Sequence, residues 1–308
     1  MSEPAPTVDG LHGSRRLLAF LPIACAIGMA TLDSAIANTA LPTMAVSLNA
    51  TPAASVWVVN AYQVAIVVSL LPFSALGETF GYRRVYTAGL AVFTVASLLC
   101  ALSTSMSLLV AARVLQGLGA SGIMSVNAAL VRFIFPAREF GRGVGYNAFT
   151  VATTSALGPT VASAILAIAP WPWLFAVNVP LGVVAFTLGW FSLPKTPESP
   201  HAFDLPSAGL SAAAFGLLVL AISEAGHLAS MQLVIVAAAG AIGFGWLLMR
   251  RQAGMPAPIF LVDLFRRPLF TLSALTAIGC FAAQGLAYVA LPFYMQHALG
   301  RTQVETGL

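Results

Sequence analysis

The chain has 308 residues, of which 59% are hydrophobic and only 8% charged. A soluble domain carries roughly 25% charged residues, so this sequence cannot cover a water-facing surface. Its net charge of +4 does not point to nucleic acid, because the basic residues fall between apolar runs, where membrane topology accounts for them.

Arg15 and Arg16 precede an apolar stretch that opens like a secretory signal, with Ala24-Cys25-Ala26 in the place of a cleavage site. The stretch continues to about Ala40, broken only by Asp33, which is too long for a signal and predicts a retained first span. Nine spans follow from the apolar windows, at about 17–40, 54–76, 85–103, 107–131, 143–168, 173–193, 207–226, 230–249 and 269–291. Each is near 20 residues and lacks the alternation of a barrel strand, so the predicted class is an all-α polytopic membrane protein. Cys25, Cys100 and Cys280 lie in these runs without metal-ligand spacing and read as small buried hydrophobes.

Twelve of the fourteen Lys and Arg residues form clusters at Arg15/Arg16, Arg83/Arg84, Arg132/Arg138/Arg142, Lys195, Arg250/Arg251 and Arg266/Arg267. The connections after spans 2, 4, 6 and 8 hold every cluster except the one before span 1, and those after spans 1, 3, 5 and 7 hold no Lys or Arg. Lys and Arg stay inside, so the N-terminus is predicted to be cytoplasmic. Three prolines between Pro194 and Pro200 cannot continue a helix and mark a linker. The predicted organisation is a cytoplasmic tail (1–16), a six-span bundle (17–193), a linker (194–206), two inserted spans (207–249), a second linker with an amphipathic piece at 259–265 (250–268), and a ninth span with its following loop (269–308). An odd span count leaves the C-terminus outside and predicts an incomplete protein, with a C-terminal half beyond this sequence.

Two charges lie where charge is costly. Asp33 is the only acidic residue well inside a span, and Arg113 interrupts span 4; each costs a few kcal/mol even on insertion scales. Ala26, Ala30, Asp33 and Ala37 share one helical face, which suits either a water-filled cavity or close helix packing. Both charges sit about 9–11 Å below the outer ends of their spans at 1.5 Å per residue. Gln116 lies one turn from Arg113 on the same face. A structural buried Asp and an Arg snorkelling to the interface are the plain alternatives.

Several motifs carry a resemblance. Ser74-Ala-Leu-Gly-Glu78-Thr-Phe-Gly81-Tyr-Arg83-Arg84 resembles the loop 2–3 signature of the major facilitator superfamily, with Glu78 for its usual Asp; taken alone, the loop reads equally as a tight basic turn. Leu109-Val-Ala-Ala-Arg113-Val-Leu-Gln116-Gly117-Leu-Gly119-Ala120 resembles the family's span-4 motif at every defined position. Gly158-Pro159 in span 5 resembles the kink motif of its antiporters, in part only, since Thr154 and Ala162-Ser163 stand for glycines. Trp171-Pro-Trp173-Leu-Phe175-Ala-Val-Asn178-Val-Pro180-Leu-Gly182 is similar to the entry to span 6 in the drug-exporter branch, with Pro172 for Arg. Leu32-Asp33-Ser-Ala-Ile36-Ala37-Asn38-Thr-Ala40-Leu41-Pro42 resembles the span-1 motif of the 14-span drug:proton antiporters, with Ala37 for Val.

The resemblance implies a major facilitator fold and an inner-membrane transporter that couples entry of protons to efflux of lipophilic, cationic drugs. Its partners would be the lipid bilayer, a small-molecule substrate and protons. It implies that Asp33 binds the proton or the cation while Arg113 sets its proton affinity, and that Glu78, Gly81, Arg83 and Arg84 form a gate. Asn38, Asn60, Gln63, Gln116 and Tyr288 are the candidates for lining the cavity. Export of another solute, such as an amino acid or siderophore, is the alternative, as is a non-transporting membrane fragment. Neither a phosphate loop, nor metal-ligand spacing, nor a nucleophile elbow occurs, so no cofactor, metal or enzymatic activity is predicted.

Overall fold

The helices overrun the apolar windows that mark them. In a computed structural model that describes residues 9–199, 203–226, 231–253, 255 and 262–297, α1 runs Gly13–Ser47 and α2 Pro52–Phe80. They are followed by α3 (Tyr82–Ala101), α4 (Met106–Ile134) and α5 (Phe140–Ile168). At 1.5 Å per residue α1 is about 52 Å long, well beyond the ~30 Å of a hydrocarbon core. The local signals for the ends are plain: Thr51 and Ser105 accept from the amides of Ala54 and Leu108, capping α2 and α4. Gly81, at φ +91°, is the single residue that turns α2 into α3.

The sixth predicted span is two helices, α6 (Trp173–Ala176) and α7 (Asn178–Ser192). Pro180 has no amide to give the Ala176 carbonyl, so the helix is interrupted at Val177. Then come α8 (Leu205–Gly226), α9 (Met231–Gln252) and α10 (Pro268–His297). Eight helical segments among the described residues are long and apolar enough to cross a membrane.

Met1–Ile259 is one compact unit and Phe260–Leu308 another. In the first, α4 packs along α3 and α2, α1 along α5 and α7, and α8 along α9 and α2. Glycines set the α3–α4 distance. A Cβ on Gly119 would collide with the Phe93 backbone, and one on Gly89 would stand 2.9 Å from the Gly119 carbonyl. Two apolar clusters result, one around Ile23, Tyr86, Phe93 and Ile134, the other around Ile36, Met44, Leu109 and Phe175.

The segment read as a linker (194–206) and the two inserted spans belong to the same unit as the six-span bundle. The Ser199 amide donates to the Glu78 carbonyl at 2.8 Å, Glu198 pairs with Arg84, and α8 lies on α2. The N-terminal tail is anchored likewise: Asp9 accepts from the Ala137 amide at 2.9 Å and Arg16 pairs with Glu139 at 2.9 Å.

In the second unit, Val262–Arg266 is a 3-10 turn leading into α10. Phe265 and Phe270 meet edge to face there, with centroids 5.1 Å apart. Of the amphipathic segment expected at 259–265, residues 259–261 lie outside the described residues.

Candidate functional site

Where the two apolar clusters meet, five helices converge on Asp33. Its carboxylate is 1% exposed and faces Arg113 of α4, which is 0% exposed. Arg113 Nη1 donates to Asp33 Oδ2 and, at 2.6 Å, to Gln116 Oε1. Its Nε donates to the Val58 carbonyl of α2 at 2.8 Å. The guanidinium lies 4.1 Å from the Tyr62 ring centre and 5.6 Å from that of Phe175. Gln116 Nε2 donates to Asp33 Oδ1 and to Ser97 Oγ of α3, both at 2.9 Å, and Asn178 Nδ2 of α7 donates to the same Oδ1 at 2.9 Å.

An isolated charge is expensive in such surroundings; paired and hydrogen-bonded, the two offset much of each other's desolvation. The small-residue face of α1 turns out to be packed: Ala26, Ala30 and Ala37 are all buried. Tyr62 completes the enclosure by donating to the Ala30 carbonyl at 3.0 Å. Asp33 is thus tied through hydrogen bonds and packing to α2, α3, α4 and α7, so any change of charge at this point would be felt by all five helices together.

The other candidates are placed differently. Gln116 is enclosed in the cluster rather than lining open space. Asn38 is exposed and donates to the Ser34 carbonyl one turn back, Asn60 is half-buried, and Gln63 is exposed. The side chain of Tyr288 lies outside the described residues. Gly158, beside Pro159 in α5, abuts Ala35 of α1, which leaves no room for a Cβ.

At the α2–α3 loop, Arg83 donates to the Trp190 carbonyl and stacks over its ring at 5.9 Å. The carboxylate that meets Arg84 is Glu198 of the segment after α7, at 2.5 Å, whereas the Glu78 side chain is exposed. That strap closes over Gly81, where a Cβ would lie 3.2 Å from Thr196 Oγ1.

Sequence reasoning passed over Ser97, Tyr62 and the Val58 carbonyl, and it gave Asn178 no role. The usable signal was polarity inside apolar runs: a polar group in hydrocarbon must find a partner, and Asn178 stands beside the helix-breaking Pro180.

Residues 23–308 match the family profile described as Major Facilitator Superfamily. The chain is 53% identical over 307 residues to the uncharacterized transporter YebQ of Escherichia coli (strain K12), covering 99% of this chain and 67% of that one. It is 32% identical to the riboflavin transporter RibZ of Clostridioides difficile (strain 630), covering 95% of this chain and 64% of that protein. It is also 32% identical to the putative multidrug resistance protein MdtD of Salmonella typhi, covering 91% and 60%. This chain thus spans about two thirds of the length of these relatives. Among solved structures it resembles the proton:xylose symporter XylE bound to 6-bromo-6-deoxy-D-glucose, with a TM-score of 0.56 over 95% of this chain and 65% of that one; at 13% identity the likeness is one of fold.

Proposed function

We propose, since the chain belongs to the Major Facilitator Superfamily, that it is the membrane transporter its family implies and that it works as a proton-coupled exporter of lipophilic, cationic compounds of the 14-span drug:proton antiporter type. The observation that carries this reading is the enclosed Asp33–Arg113 pair. Asp33 is the acidic residue deep inside a helix, and its hydrogen-bond donors reach it from α4 and α7. Protonating it removes the charge that holds Arg113 and loosens the junction of those helices, which is what a proton must do to favour one arrangement of the bundle over another. Both carboxylate oxygens are engaged by protein donors, so we assign Asp33 the proton and not the cation. The 32% identity to a putative multidrug resistance protein supports the substrate class.

The similar identity to a riboflavin transporter favours a second reading, movement of a different small solute by the same coupling. Glu78, Gly81, Arg83 and Arg84, with the strap that carries Glu198, would gate the face bearing the basic clusters, and the charge distribution supports placing that face in the cytoplasm of a bacterial-type inner membrane.

The test is efflux of a cationic dye from an efflux-deficient host that expresses the complete reading frame. Asp33→Asn should insert normally and abolish pH-dependent efflux. Export at the parental rate by Asp33→Asn would reject proton coupling through this residue.

A further inference from the structure

The Asp33 carboxylate is held asymmetrically. Oδ1 accepts from two neutral amides, Gln116 Nε2 and Asn178 Nδ2, each at 2.9 Å. Oδ2 accepts from the cation Arg113. An ionised carboxylate oxygen offers two lone-pair directions, so Oδ1 is filled by neutral donors, while Oδ2 accepts from Arg113 alone among the described residues. An incoming proton needs an open lone pair.

We propose that Asn178 is a positioning residue for proton coupling: with Gln116 it fills Oδ1 and directs the proton onto Oδ2, beside Arg113. This deepens, and rests on, the reading of Asp33 as the proton site. The step forms one O–H bond at Oδ2 with a proton delivered by water; Asp33 goes from charge −1 to 0 and Arg113 stays charged. An ion–ion contact becomes a cation facing a hydroxyl. Arg113 is left on the Val58 carbonyl, Gln116 Oε1 and the Tyr62 ring. With Oδ1 filled, no proton can bind Asp33 without acting on Arg113. Without Asn178, a proton on Oδ1 leaves the Arg113 contact intact and the coupling slips.

The titratable and charged groups around this carboxylate are Arg113 of α4, Tyr62 of α2 and Cys100 of α3, the last reaching Gln116 Oε1 at 3.4 Å. From α6 and α7 come Phe175 and Asn178, which do not titrate. Asn178 suits the part because it opens α7 directly after the break at Val177, so its reach to Asp33 depends on how α7 sits against α1.

The experiment is infrared difference spectroscopy of the full chain in lipid nanodiscs across a pH titration, with the Asp33 carboxyl band identified by its loss in Asp33→Asn. In the parent protein the protonated band should lie at low wavenumber, because its carbonyl oxygen carries two amide hydrogen bonds. Asn178→Leu should raise that wavenumber, flatten the pH dependence of transport and move what remains about one pH unit higher, the worth of one hydrogen bond to a charged group. Asn178→Ser, shorter but still a donor, should fall between the two, and it replaces the leucine variant if that fails to insert. An Asp33 band and pH profile unmoved in these variants would make Asn178 a packing residue and overturn the proposal, as would the absence of any Asp33 band. The spectroscopic readout does not depend on which solute is carried, so its failure is separate from parental efflux by Asp33→Asn.

Discussion

Asp33 and Arg113, 80 residues apart in sequence, meet side chain to side chain, each almost wholly enclosed by protein. Removing one member of a buried pair strands the other, at about 3–5 kcal/mol. Arg113→Leu should therefore be strongly destabilising. The double variant Asp33→Asn/Arg113→Leu should be less so than Arg113→Leu alone, because the uncharged amide introduced by Asp33→Asn would keep neutral partners in Gln116 and Asn178. Unfolding of the purified protein in detergent, arranged as a double-mutant cycle, measures the coupling. Additive losses would show that the two charges do not depend on each other.

Helix spacing gives a second expectation. A methyl on Gly119 would stand 2.7 Å from the Phe93 Cα, against backbone that cannot swing aside, whereas Gly145 of α5 has nothing within 4 Å of that position. Gly119→Ala should cost about 1–3 kcal/mol as α3 and α4 are forced apart. Gly145→Ala should gain up to about 1 kcal/mol from helix propensity. Thermal unfolding of the two variants side by side checks both signs.

The strap over the α2–α3 loop separates backbone strain from surface charge. Gly81→Ala places a side chain at φ +91° and 3.2 Å from Thr196 Oγ1, so it should cost about 1–3 kcal/mol. Arg84 and Glu198 are 69% and 53% exposed, and Glu198→Gln should change stability by less than about 1 kcal/mol, with the difference vanishing at high salt. Chemical denaturation at two salt concentrations distinguishes them.

Asp204, just before α8, accepts from Arg251 near the end of α9 at 3.1 Å and from Ser207 at 2.5 Å. The hydrogen bond from Arg251, foremost, holds its carboxyl below the ordinary value of 3.8. A carboxylate depressed in the folded state contributes stability that is fully present above its unfolded value and is lost as pH falls through the folded one. The α8–α9 hairpin should thus keep this contribution at neutral pH and lose it only below about pH 4. Arg251→Gln should remove most of it at neutral pH and flatten the acid dependence. Stability measured from pH 7 down to pH 3 in parent and variant tests the sign; equal slopes would refute it.

The amino-acid sequence by itself determined the all-helical membrane class, the approximate places of the apolar helices and the two charges that stand out. Twenty-residue apolar windows and the expense of a charge within them are local properties, readable without a partner. Asp33 and Arg113 were conspicuous because neither has an opposite charge within reach in its own helix. Tertiary structure decided the rest. The rotation of each helix about its axis brings Asn178, Ser97 and Tyr62 to the same pair and turns Gln116 inward, while Asn38 and Gln63, equally polar and equally placed within apolar runs, stay exposed. Nor did the prolines at 194–200 disclose that the segment after α7 folds back on the α2–α3 loop, since its hold consists of contacts such as Arg84–Glu198, 114 residues apart. Hydropathy sets how deep a residue lies in its helix, but which neighbour it faces depends on how glycine-lined helices such as α3 and α4 settle against one another, and only the packed bundle decides that.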